Sequence, residues 1–416
     1  MLALVDCNAC YASCEQIYRP DLRGKPIVVL SNNDGCIVTR NQEAKALNIP
    51  DLVPFFKIKS LLEKHQVHVF SSNYELYGDT SSRIMTLLKD FGHTIEVYSI
   101  DEAFLDVSVI PDLQQHGQAI KRACWKQQRM PVCVGIAATK TLAKLANHIA
   151  KKSQRLEGVC VIEHLPDWQA VFNKIAVNKV WGIGTGHHKR LQALGIYSVE
   201  DLRTSNSQLL RDHFGITVER TQAELNGEMC IALEPQPAAK KEVFCSRSFS
   251  RKVIDAAQIQ ETVANYAVRA TEKLRQQNSF TQKIYVTLQT SRFDDFPYQN
   301  SLSNALLSPT NDSRVIVAAA KQLSQQLFKP GYRYAKAGVG LLDLNHGQQQ
   351  QNDFFNHLQT EKSQTMMKMI DQINKKYGSG QVFIAAQGVQ QSWAMARDYK
   401  SPAYTTRLSD LPIIKL

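Results

Sequence analysis

Short apolar runs alternate along the chain with stretches of helical periodicity, and their order predicts an architecture. LALV (2–5) running into Asp6 reads as a buried strand, and a helical pattern follows from about Asn8 to Ile17. A Pro/Gly-rich stretch, RPDLRGKP, leads into a strand IVVL (27–30) and then the turn signal SNNDG (31–35). Residues 41–48 have a helical pattern and 50–60 a mixed one. Leu76 to Lys89 predicts a helix, IEVYSI (95–100) a strand, Asp101-Glu102 a turn, and AFLDVSV (103–109) a second strand. A helix is expected over 112–128, a strand over VCVGIAA (132–138), and a helix over 141–152. With 18–75 set aside as a small insertion, the order is β-α-β-β-α-β, the split βαβ arrangement of ferredoxin-like topology. That order sets Asp6 on one strand beside a hairpin carrying Asp101 and Glu102.

Further along, residues 166–232 read as short helices with WGIG (181–184) at a turn, and EPQPAAKKE (234–242) as a Pro-rich charged linker. From 243 the pattern is strand (243–249), helix (257–276), strand (282–291), short strand near 301, helix (313–327) and strand (334–343). This is a second β-α-β-β-α-β unit. HGQQQQND (346–353) is polar, and the remainder predicts a helix over 363–376, a strand VFIAA (382–386) and an irregular end. The fold class expected is multidomain α+β, consistent with about three domains in 416 residues.

Charge sharpens that division. The formal net charge is +11, unevenly placed: residues 1–237 carry 26 Lys+Arg against 25 Asp+Glu, whereas 238–345 carry 15 against 8 and 346–416 carry 8 against 5. A near-neutral first half followed by a basic module suits a separate domain that meets a polyanion. No run of about 18 uncharged apolar residues is present, so no membrane span is expected. The start, MLALVDCNACYASCEQ, turns acidic too early for a signal peptide, and a cytoplasmic chain is the expectation. Nine cysteines include a CxxC, Cys7 and Cys10, with Cys14 following. No second CxxC or CxxH completes four zinc ligands, so small buried side chains at a strand-to-helix junction are the better reading.

The chemistry rests on acids in apolar surroundings. Adjacent strand residues point to opposite faces, so Asp101 and Glu102 can serve one site only near a turn. As an isolated pair they would read as solvated surface, but YSIDEAFLD buries its neighbours, and buried strands rarely carry unpaired acids. Three carboxylates meeting on a sheet repel one another unless cations lie between them. Oxygen ligands without histidine or thiolate favour Mg²⁺ over zinc, and two such ions suit phosphoryl transfer.

YSIDEAFLD (98–106), with the early LVDCNACYASCE (4–15), resembles the Y-family of translesion DNA polymerases, and in particular its UmuC branch. Supporting runs are KPIVVLSNNDGCIVTRNQEAKAL (25–47), FSSNYELYGD (70–79), VGIAATKTLAKLAN (134–147), VWGIGTGHHKRLQALGI (180–196), CSRSFS (245–250) and SPAYTTR (401–407), so the resemblance covers essentially the whole chain. It implies a right-hand polymerase: palm 1–17 and 76–165, small fingers 18–75, helical thumb 166–233, linker 234–242, little finger 243–345, and a C-terminal partner-binding region 346–416. The implied activity is error-prone, template-directed DNA synthesis in an SOS-type damage response, adding deoxynucleotides to a primer 3′-hydroxyl.

The resemblance also implies roles for particular residues. The metal ligands for two Mg²⁺ ions fall on Asp6, Asp101 and Glu102, with the Cys7 carbonyl as a further ligand. Tyr11 falls at the steric gate, where a ring beneath the sugar leaves no room for a 2′-hydroxyl. Triphosphate contacts fall on Lys45 and Lys151, with Arg40 able to share the role. Where related polymerases carry a Tyr and an Arg, this chain has Gln42 and Lys45, and lysine lacks the bidentate fork of arginine. Asn8 agrees with the UmuC branch; nothing explains Cys10. WGIG followed by LGI (194–196) is similar to a helix-hairpin-helix, in which Gly182 and Gly184 let backbone N–H groups approach DNA phosphates. Arg247, Arg251 and Lys252 are the first candidates for phosphate contacts in the basic module. QNDFF (351–355) resembles a sliding-clamp peptide, with Phe354 and Phe355 as anchors and Gln351 as the polar contact. A UmuD-type dimer and RecA are the other implied partners.

Two readings compete. A palm-type nucleotide cyclase would share the acids but has no use for the thumb-like helices and basic second module. A non-catalytic DNA-binding factor has no use for an intact acidic triad.

Overall fold

A computed structural model describes residues 1–346, 359–389, 393–411 and 413. Two compact units divide the chain: residues 1–237 together with 398–416, and residues 238–397.

The first unit is built on β1 (Leu2–Cys7), six buried residues at the centre of a five-stranded sheet. After it come α1 (Cys10–Tyr18), β2 (Ile27–Leu30), β3 (Ile37–Arg40), α2 (Gln42–Ala46), α3 (Phe55–Lys64), β4 (His68–Ser71) and α4 (Tyr74–Leu88). Then follow β5 (Ile95–Val97), β6 (Glu102–Asp106), α5 (Leu113–Gln128), β7 (Val132–Ala137), α6 (Lys140–Lys152) and β8 (Val159–Ile162). The main sheet has the order β5-β6-β1-β7-β8. Each of its first four strands runs antiparallel to the next, and β8 adds in parallel beside β7. This is the ferredoxin-like order expected from βαββαβ.

Both faces of this sheet are covered, which is why β1 reads as a continuous apolar run rather than an alternation. Ala3 and Val5 lie in one core with α4 and α5, whereas Leu4 and Phe104 lie in another with α6. Strand alternation therefore turns Asp6 and Glu102, each two residues from one of these, toward α6. That helix lies hard against β7. A Cβ on Gly135 would come within 2.3 Å of the Ala143 carbonyl oxygen, and Asn147 Nδ2 donates to the Cys133 carbonyl at 2.9 Å.

Residues 27–71 form a small three-stranded sheet, β3-β2-β4, with a separate core of Val28, Leu30, Ile37, Ala44, Ile49, Leu62 and Val67. Five short helices follow β8: α7 (Gln169–Phe172), α8 (Thr185–Ala193), α9 (Val199–Thr204), α10 (Ser207–Phe214) and α11 (Ile216–Leu225). They share the core of α6. Buried Glu224 accepts from the Thr141 amide at 2.9 Å, placing a carboxylate at the amino end of α6, where the helix dipole favours it.

The second unit comprises β9 (Val243–Val253), α12 (Ala256–Gln276), β10 (Ser279–Thr290), β11 (Gln299–Thr310), α13 (Ser313–Leu327), β12 (Tyr334–His346) and α14 (Glu361–Tyr377). The element order through β12 is again β-α-β-β-α-β, but the sheet order is β11-β10-β12-β9. The last strand here, β12, lies between the first two, β9 and β10, whereas in the first unit the third strand, β6, lies between the first two, β1 and β5. The strands exceed expectation: β11 runs twelve residues where only a short strand near 301 was expected, because its polar sequence sits on an exposed edge. Val382–Ala386 is not a strand. Ile384 and Ala386 pack onto the second unit's core beside a turn at Ala385–Gln387, whose Gln387 carbonyl accepts from Asn265. The C-terminal stretch is divided: α14 pairs with the second unit through Arg275–Asp371 at 2.7 Å, whereas 398–416 belongs to the first.

Candidate active site

The three acids lie where β1 ends and β6 begins. Asp6 pairs directly across from Glu102 in the β1–β6 register, and the Cys7 amide donates to the Asp101 carbonyl at 2.8 Å. β5 ends at Val97, earlier than the expected strand to Ile100, so Tyr98–Asp101 makes the turn and Glu102 is already a strand residue. Ser99 builds that turn. Its Oγ accepts from the amides of Asp101 (3.2 Å) and Glu102 (3.0 Å) and donates to Asp101 Oδ1 at 2.5 Å. The hydroxyl thereby holds the Asp101 carboxylate beside the sheet end.

Two lysines of α6 meet the other two acids. Lys151 Nζ lies 2.6 Å from Asp6 Oδ2, and Lys144 Nζ reaches both Glu102 oxygens at 2.9 and 2.8 Å. Seven residues is close to two helical turns, so these lysines share a face. Lys144 is further held over the Tyr98 ring at 4.6 Å and the Trp181 ring at 5.4 Å, which ties the WGIG turn to Glu102. The sequence reading did not single out Lys144; the available signal was its spacing from Lys151.

Burial pushes the Asp6 carboxyl up to about 6, against the Lys151 charge that pulls it down and with Glu102 and Asp101 adding to the rise. Among the described residues no three His, Cys, Asp or Glu side chains are gathered as a ready metal cluster, the lysines holding two of the acids. The donor set nonetheless suits a hard cation. It offers carboxylate oxygens from a buried acid whose ionised form needs positive charge. The neighbouring Cys7 thiol is pushed well up by its hydrogen bond with Cys10 and by burial, so it stays protonated and is no thiolate ligand.

Tyr11, in the first turn of α1, stacks on Tyr77 with ring centres 4.6 Å apart and meets Tyr74 edge-on at 6.1 Å. The chain reaches it through Ala9, whose left-handed backbone (φ 45°) costs about 1–2 kcal/mol and turns α1 out of the strand direction. Asn8 Nδ2 reaches Cys133 Sγ at 3.3 Å. Arg40 bonds the Ile49 carbonyl and pairs with Asp51 at 2.8 Å, while Lys45 is exposed on α2. Gly182 (φ 87°) has a conformation that favours glycine, and Gly184 precedes α8 with open space where a Cβ would lie. Arg247, Arg251 and Lys252 lie on β9 of the second unit, where Lys252 pairs with Asp294. Gln351, Phe354 and Phe355 lie outside the described residues.

Comparison with known proteins agrees with this fold. A Y-family DNA polymerase chimera of Dbh and Dpo4 superimposes with a TM-score of 0.67 at 24% identity, covering 83% of this chain and 99% of that one. An insertion ternary complex of Dbh DNA polymerase gives 0.54 at 23% identity, with the same coverage. The fold is that of a Y-family DNA polymerase. Residues 5–148 match the impB/mucB/samB family, residues 240–354 that family's C-terminal domain, and residues 364–414 a domain of unknown function. The protein UmuC of Salmonella typhimurium is 44% identical over the whole of both chains, and MucB of Escherichia coli 38% identical over 99% of each. DNA polymerase IV of Bacillus velezensis is 26% identical over 90% of each. The chain belongs to the impB/mucB/samB family, the UmuC-type Y-family polymerases, and is a DNA-directed DNA polymerase of the translesion class. Membership carries dependence on divalent metal. Among the described residues no helix is long and apolar enough to cross a membrane.

Proposed function

We propose that the protein extends primers across damaged template by two-metal nucleotidyl transfer in an SOS-type response, with Mg²⁺ as the metal. The observation that carries this reading is the register placing Asp6 opposite Glu102, with Asp101 fixed beside them by Cys7 and Ser99. Asp6, Asp101, Glu102 and the Cys7 carbonyl would hold the ions. Bound there, the metal supplies an acidified 3′-hydroxyl and charge neutralisation at the leaving pyrophosphate.

The chain's own groups do the positioning. Ser99 and Lys144 fix the Asp101 and Glu102 side chains. Lys151 neutralises Asp6 and, once freed from it, supplies a cation to the triphosphate, as do Lys45 and Arg40. The Tyr11 ring sits under the sugar and excludes a 2′-hydroxyl. In this reading palm, fingers, thumb, linker and little finger keep the boundaries given above. Gly182 and Gly184 would contact template-primer phosphates, and Arg247, Arg251 and Lys252 would add sequence-independent grip. A UmuD-type dimer, RecA and a sliding clamp engaged through Gln351, Phe354 and Phe355 are the proposed partners, and the cytoplasm the proposed compartment.

Primer extension on a template carrying an abasic site, with Mg²⁺ and with UmuD-type and RecA-type partners supplied, tests the proposal. Full-length product beyond the lesion is expected. Efficient copying of undamaged template with every chain stopping at the lesion would contradict it.

A further inference from the structure

The last segment of the first unit is inserted beneath the ring that the proposed function makes the nucleotide gate. Tyr77 underlies Tyr11 by stacking, and its own hydroxyl points into the protein, donating to Glu15 Oε1 at 2.6 Å. The same oxygen accepts from Ser401 Oγ at 3.0 Å, across nearly the whole length of the chain. Glu15 is fully buried and, among the described residues, no donor meets its Oε2, so these two hydroxyls are the hydrogen bonds that fix the carboxyl.

Ser401 is itself held. Asn73 Nδ2 donates to Ser401 Oγ at 2.9 Å, to its carbonyl at 3.1 Å and to the Pro402 carbonyl at 3.3 Å. Asn73 is also the N-cap of α4, accepting from the Leu76 amide, and α4 carries both Tyr74 and Tyr77. On one side the strap runs as an extended pairing: the Ser71 amide donates to the Tyr399 carbonyl at 3.0 Å, and the Tyr399 amide to Ser71 Oγ at 2.9 Å. On the other side Tyr404 stacks on Tyr18 at 5.0 Å. The two aromatic neighbours of Tyr11 thus rest on a helix start and a buried carboxyl that the C-terminal segment completes.

We infer that Tyr399–Tyr404 is a positioning strap for Tyr11, so that Ser401, acting through Glu15 and Tyr77, sets how strictly the polymerase rejects ribonucleotides. The inference rests on Tyr11 being the gate. Losing one buried hydrogen bond that supports the stack is worth several-fold in discrimination. Ser401 and Tyr77 are positioning residues here, since neither touches substrate.

The test measures kcat and KM for a deoxynucleotide and the matching ribonucleotide on primed DNA, using the full chain with its partners. Wild type is compared with Ser401→Ala, Ser401→Thr, Tyr77→Phe, the Ser401→Ala/Tyr77→Phe double variant and Tyr11→Ala. Each hydroxyl deletion is expected to lower the deoxy-to-ribo ratio of kcat/KM by about threefold to tenfold, chiefly through a lower ribonucleotide KM. The double variant should lose less than the product of the two, because both hydroxyls act through one carboxyl. Ser401→Thr, which keeps the hydroxyl, should restore the ratio. If Tyr11→Ala relaxes discrimination while Ser401→Ala keeps the wild-type ratio and only lowers the melting temperature, the strap is overturned and the gate stands. If Tyr11→Ala leaves the ratio unchanged, the gate reading fails and the strap with it. Should Tyr77→Phe not fold, the Ser401 pair alone decides.

Discussion

The carboxyl of Glu15, on α1, is fully buried. An acid on α1 reads as a solvated face, and the groups that bury it, Tyr77 and Ser401, arrive from far along the chain. The acids proposed to hold metal stand out for the opposite reason: Asp6, Asp101 and Glu102 interrupt apolar strands, and their neighbours announce burial. Lys151 was legible as a cation near the site, though its partner here is Asp6. Burial raises Glu15 from 4.5 to about 7, partly offset by the hydroxyls of Tyr77 and Ser401. Between those two values the folded chain keeps a proton that the unfolded chain releases. The group's contribution is therefore full below about pH 4.5 and lost as pH rises through about 7, a difference of roughly 3 kcal/mol. Glutamine does not titrate, so Glu15→Gln should gain on wild type in melting temperature as pH moves from 5 to 8. An offset that stays constant over that range would contradict the assignment.

At the scale of elements, α6 is what turns a sheet end into a site. It supplies Lys144 to Glu102 and Lys151 to Asp6 from one face, and its distance from β7 is set by a glycine. A methyl at Gly135 would meet the backbone at Asn147 and Ala143, neither of which can swing aside as a side-chain end can. Gly135→Ala should cost about 2–3 kcal/mol, read as a lowered denaturant midpoint; a change below about 0.5 kcal/mol would show that α6 is not held this closely. The helix itself was plain from its periodicity, and so was the βαββαβ order. Sheet order in the second unit was not, since element order alone permits more than one arrangement. The expected strand at Val382–Ala386 failed because a short apolar run fits a core-facing turn as well as a strand.

Over the whole molecule, the change from near-neutral to basic composition near residue 238 coincides with the boundary between the two units. The return of residues 398–416 to the first unit had no such marker, because SPAYTTR is neither strongly apolar nor strongly charged. In the proposed function, acids from two strands and a turn, backed by lysines from one helix, perform nucleotidyl transfer. Asp101 tests this most directly, because its side chain accepts a hydrogen bond from Ser99 and its backbone link to Cys7 survives truncation. Extension of a primed template and equilibrium DNA binding should be measured together on wild type and Asp101→Ala. The account predicts that extension falls by roughly a thousandfold or more while DNA affinity stays within about threefold. Extension by Asp101→Ala at the wild-type rate would remove the triad from the mechanism.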